Sequence, residues 1–93
     1  KNITFKFSKY YDGAKFKYYN RTASNGDRIN DSIVEFKRDG KTVKTFTFKS
    51  AGNYVEFKPE SYVVFNEVVL TFSGPYQNFR EIKIVGRKVN IRN

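Results

Sequence analysis

The sequence predicts an all-β fold, a sandwich or barrel of antiparallel strands. Three observations carry that expectation. Apolar and polar residues alternate with a period of two along most of the chain. Turn signals recur about every 8–12 residues. No window sustains the 3.6-residue period of a helix.

The elements follow in order. In ITFKFSK, Ile3, Phe5 and Phe7 share one face, and Thr4, Lys6 and Ser8 the other. In AKFKYY, Ala14, Phe16 and Tyr18 point one way. IVEFKRDGKTVKTFTFK reads as two strands joined at Asp39-Gly40, a strong hairpin signal, with Val34, Phe36, Phe46 and Phe48 facing inward. YVEFKP is a short strand closed by Pro59, which cannot continue a ladder. FNEVVLTFSG places Val68, Leu70 and Phe72 on one face, and REIKIVG does the same with Ile82 and Ile84. KVNIR, with Val89 and Ile91, reads as a last short strand or a tail. The total is about seven strands in a single module, residues 1–93, with no internal repeat or linker. Alternation should bury one tyrosine of each pair, Tyr10/Tyr11 and Tyr18/Tyr19.

Composition narrows the function. Ten Phe and seven Tyr supply the bulk of a small core. The chain has no Cys, so it offers no disulfide, thiol nucleophile or zinc–thiolate site. It has no His, the commonest general base and transition-metal ligand. No carboxylates pair in a catalytic pattern, and the expectation is a protein that is not an enzyme. The longest apolar run falls far short of the roughly 20 residues that span a bilayer. The chain opens on Lys1 rather than Met and is expected to be a piece of a larger protein. Its net charge is +9, from 18 Lys and Arg against 9 Asp and Glu. The lysines alternate as FKF, KFKYY and EIKI, which fits a solvated sheet face better than one focused patch. The charge also fits affinity for an acidic glycan, a nucleic acid or a membrane surface.

The stretch NRTASNGDRINDS, residues 20–32, is long for a hairpin connection and holds one large aliphatic, Ile29. Loops of this length are usually functional or disordered. Arg21 opens it, either to pair with Asp27 or Asp31 or to meet a ligand. Asn25-Gly26 reads as a turn or as part of a site. Asp27 and Asp31 could bind calcium, but Arg21 and Arg28 oppose it. Asn2-Ile-Thr, Asn20-Arg-Thr and Asn30-Asp-Ser match the N-glycosylation sequon, a short motif that arises often by chance.

Laid end to end, ITFKFSKYYDGAKFKYYNRTASNGDRINDSIVEFKRDGKTV, YVVFNEVVLTFSG and REIKIVGR resemble the discoidin family, or F5/8 type C domains, which includes many bacterial galactose-type carbohydrate-binding modules. The resemblance runs from Ile3 to Gly86 and rests on the order and spacing of the segments. It implies a short, jelly-roll-like, galactose-binding-domain-like β-sandwich with its ligand in loops at one end. It implies ligand-binding roles for Arg21 and Asn25, which would hydrogen-bond sugar hydroxyls, and for Tyr76 or Phe79, which would stack on the sugar face. It gives Glu81 a structural role. No counterpart of the family's first third is present, and with it go a loop histidine, a tryptophan and a structural calcium site, so no cofactor is expected. The four-residue step from Arg21 to Asn25 is about one shorter than in sugar-binding members, and the GPYQNF loop is short. The implied setting is extracellular or at a cell surface, in bacteria. There the module would hold a glycan-degrading enzyme or adhesin against a glycan. Its partners would be that glycan and the other domains of the parent protein, not nucleic acid. The rival readings are a protein-interaction or spacer module without a sugar site, and a binder of anionic surfaces.

Overall fold

The computed structural model describes residues 1–21, 26–60 and 62–91. Among them are six strands: β1 Asn2–Asn20, β2 Ile33–Arg38, β3 Lys41–Thr47, β4 Tyr54–Phe57, β5 Phe65–Thr71 and β6 Phe79–Val89. One 3₁₀ turn, Gly26–Ile29, interrupts the long loop. Every pairing is antiparallel, and all six strands belong to one sheet of order β3-β2-β5-β1-β4, with β6 also on β1.

The first two expected strands are one. β1 runs through both, and KV of the last segment belongs to β6. Tyr11 pairs with Phe65 of β5 and with Lys88 of β6, while residues 16–19 pair with both β4 and β6. A strand has two edges, so β6 lies along one edge of β1 while β5 and β4 follow each other along the second. Drawn straight, 19 residues at about 3.3 Å each would span roughly 60 Å. The longest dimension of the molecule is 48 Å, so β1 must bend.

β1 is irregular in two places: its register against β5 shifts between Lys6 and Tyr11, and a β-bulge lies against β6 between Asp12 and Lys15. Asp12 pairs with Arg87 and Lys15 with Val85, which leaves Gly13 and Ala14 opposite the single residue Gly86. One extra residue reverses which positions face inward. Ile3, Phe5 and Phe7 face in before it, and Ala14, Phe16 and Tyr18 after it. Gly86 is required by space: a Cβ there would lie 3.0 Å from the Tyr11 Cβ and 3.3 Å from the Asp12 carbonyl oxygen. Arg87 clasps the buried Asp12 carboxylate with two bonds, Nε to Oδ1 at 2.9 Å and Nη2 to Oδ2 at 3.2 Å.

The Asp39-Gly40 turn forms as expected, with φ of 50° and 85° in the left-handed region that a type I′ hairpin needs. Tyr10 Oη donates to Asp39 Oδ1 at 2.6 Å, tying this turn to β1. The sheet curls until its ends meet. Phe46 of β3 stacks on Phe57 of β4 with centroids 4.9 Å apart and planes 11° apart. Within the curl, Phe16, Tyr18, Phe36, Phe48, Phe65, Val34, Val68 and Leu70 are fully buried. Each contributes about 1.5–3 kcal/mol of gross burial free energy. Tyr18 is buried and Tyr19 half-buried, as alternation expects, whereas Tyr10 and Tyr11 at the bend are both half-buried.

Candidate functional site at the loop end

Three loops meet at one end of the curl, and Asn20, the last residue of β1, holds them there. Its Nδ2 donates to Gly26 O at 2.8 Å and to Gly52 O at 3.1 Å. Its Oδ1 accepts from Arg21 N at 2.9 Å, and its backbone N–H donates to Asn53 O at 2.8 Å. Its carbonyl accepts from Arg80 Nε at 2.7 Å. The side chain is buried and both its amide atoms are in use, so the first of the two loop sequons presents no free amide. Residues 29–32 of the loop are fastened in the same way. Ile29 is buried in the core, and Asn30 Oδ1 accepts from Ala51 N at 2.8 Å. Ser32 Oγ accepts from Ser73 N at 2.9 Å, and Ser73 Oγ donates to Asn30 O at 2.8 Å. Asp31 pairs with Lys49 at 2.8 Å rather than with Arg21. The described part of the connection joins the ends of β1, β3 and β5.

On this frame sits a stack. The Arg28 guanidinium carbon lies 3.6 Å from the centroid of the Tyr76 ring. Tyr76 is 48% exposed, and Asn20, Gly26 and Asn78 border the same spot. Arg21 follows Asn20 directly and is half-buried, and its Nε has no hydrogen-bond partner among the described residues. Arg80 is the second residue of β6. Three arginines therefore gather around Asn20, and none forms an ion pair among the described residues. A guanidinium lying over a ring face keeps in-plane N–H donors, a fork suited to a two-oxygen acceptor.

Of the four residues named for ligand contact, Arg21 and Tyr76 lie at this end. Asn25 lies outside the described residues. Phe79 packs inward, 5.8 Å from Tyr18 and 6.4 Å from Phe72 with planes 16° apart, so Tyr76 is the aromatic that presents a ring at the loop surface. Arg28 was missed as a ligand candidate. Its partner is 48 residues away in the chain, and local pattern carries no signal of such a contact. Burial pushes the Tyr18 hydroxyl beneath this cluster up to about 12. The free space there is about 10 Å³, room for roughly one water and not for an enclosed pyranose. Glu81 is exposed on β6 and 3.8 Å from Lys83.

Comparison with family models, with curated proteins and with solved structures gives no match to this chain. Among the described residues, no helix is long and apolar enough to cross a membrane.

Proposed function

We propose that this chain is a non-catalytic glycan-binding module and that its glycans are acidic. The observation that carries this reading is the Arg28–Tyr76 contact, with Arg21 and Arg80 bonded to the neighbouring Asn20 and no carboxylate paired to any of the three among the described residues. A uronate carboxylate or a sulfate offers a pair of oxygens that accept from a guanidinium fork, and a flat surface site suits a sugar acid better than the small gap suits a neutral ring. We read the curled sheet as a shortened galactose-binding-domain-like β-sandwich, on the strength of segment order alone. Such a site would bind weakly, about −4 to −8 kcal/mol or millimolar to micromolar, and would rely on multivalency in a parent protein.

The second reading is a spacer or protein-interaction module, favoured by the small size of the gap beside Asn20 among the described residues, about 10 Å³. A glycan array at low and high salt separates the two. The proposal expects hits on uronate-, sulfate- or sialate-bearing glycans that weaken with salt, are abolished in Arg28→Ala and are weakened in Arg28→Lys, which keeps the charge but loses the fork. Silence across acidic glycans at low salt would leave the spacer reading in place.

A further inference from the structure

One edge of β1 is open. On one side residues 2–6 pair with β5, but on the other side β6 reaches only as far as Val89 opposite Tyr10. Residues 2–9 have no strand on that side among the described residues. The Phe72 N–H donates to the Lys1 carbonyl at 2.9 Å, which fixes the alternation: Lys1, Ile3 and Phe5 direct their backbone groups to β5, and Asn2, Thr4 and Lys6 direct theirs outward.

The burial across this part of the sheet stops short at the same line. Val68 and Leu70 are 0% exposed, yet their cross-strand neighbours Phe5 and Ile3 are only partly buried, and so is Phe7. At the bend, Phe7, Tyr11, Phe65, Ile84 and Gly86 line a recess of about 180 Å³, on the scale of the roughly 150 Å³ that accepts a benzene. An open ladder, a half-covered apolar row and a recess for one large side chain are the parts of a strand-addition site.

We propose that residues 2–9 accept an extended acidic segment of another polypeptide as an added antiparallel strand, collinear with β6. Charge selects that occupant. Residues 1–11 hold Lys1, Lys6 and Lys9 and no carboxylate, Lys88 stands at the end of β6, and the whole chain carries +9. A second copy would bring the same charges edge to edge. A strand alternating apolar and acidic residues would cover Ile3, Phe5 and Phe7 with one face and meet the lysines with the other.

The test uses a synthetic peptide the length of the gap in which glutamate alternates with valine. Controls are a peptide of the same composition with its glutamates in one block, and one N-methylated at alternate amides. The expected result is saturable binding of the alternating peptide, with amide-exchange protection appearing at Asn2, Thr4 and Lys6 and no binding of the N-methylated form. Thr4→Pro removes one outward N–H while leaving the β5 ladder intact, and should weaken binding about tenfold or more with an unchanged circular dichroism spectrum. Should that variant misfold, the N-methylated peptide on the unaltered chain still decides. Equal binding of the blocked peptide would reduce the site to bulk charge and overturn the proposal. So would protection of these amides in the free chain that rises with protein concentration, which would mean self-pairing, and so would an absence of protection at millimolar peptide.

Discussion

Asn20 ties two loops together with one side chain, and its removal should be costly. Asn20→Ala leaves the carbonyls of Gly26 and Gly52 and the Arg21 N–H without their partner in a buried place. The expected loss is on the order of 2–4 kcal/mol in urea unfolding. A loss below about 0.5 kcal/mol, the range of a neutral surface change, would contradict the role assigned to it. Tyr18→Phe is the contrast. Its hydroxyl lies 3.5 Å from Asn78 O, at the limit of a hydrogen bond, and that variant should change stability by less than about 1 kcal/mol. Asp12 gives a pH signature. The Arg87 hydrogen bonds, joined by its charge, hold the Asp12 carboxyl below its ordinary range against an opposing burial effect. A carboxyl whose folded-state value lies below its unfolded value stabilises the fold above the unfolded value, near 3.9, and loses that contribution as pH falls through the folded one. Wild type should therefore exceed Asp12→Asn in stability at neutral pH, and the two curves should converge below about pH 4. A gap that stays constant down to pH 2 would show that the ion pair is not its source.

Among the elements, the hairpin was the most legible in sequence, because Asp39-Gly40 is a local signal for a local structure. The bend in β1 was half legible. Inward positions change from odd at Ile3, Phe5 and Phe7 to even at Ala14, Phe16 and Tyr18, and that change of parity reads equally as a break between two strands or as one extra residue within a single strand. Tertiary pairing decides between them, since β6 spans the break and holds it in register on both sides. The close approach at Gly86 makes the bulge testable. Gly86→Ala would press a methyl against Tyr11 and Asp12 and should cost about 1–3 kcal/mol, whereas Gly74→Ala, with nothing within 4 Å, should be nearly neutral. Equal effects of the two would mean that the bulge tolerates crowding and that the bend has another cause.

For the whole molecule, the question is where +9 acts. Much of the lysine charge stands on the outer face of β4, β1 and β6. There Lys17 faces Glu56 and Lys83, Tyr19 faces Tyr54 and Glu81, and Lys83 pairs with Glu81 at 3.8 Å. Glu56 accepts from Tyr54 Oη at 2.7 Å, and that bond, with Lys15, Lys17 and Lys58 around it, lowers its carboxyl. Such a face partly neutralises itself. The arginine end does not, although it holds fewer charges. Sequence showed the lysine alternation and half of the loop cluster, Arg21 and Tyr76. It did not show Arg28 or Arg80 beside them, because the loops that bring them in are joined by contacts between residues far apart in the chain. Binding of acidic glycans at the arginine end is tested most directly by a heteronuclear NMR titration with a sulfated or uronate oligosaccharide at moderate salt. Shifts should concentrate at Arg21, Arg28, Tyr76 and the Arg80 backbone and disappear in Arg28→Ala. Shifts spread over Lys15, Lys17 and Lys83 instead, unaffected by Arg28→Ala, would contradict binding at that end.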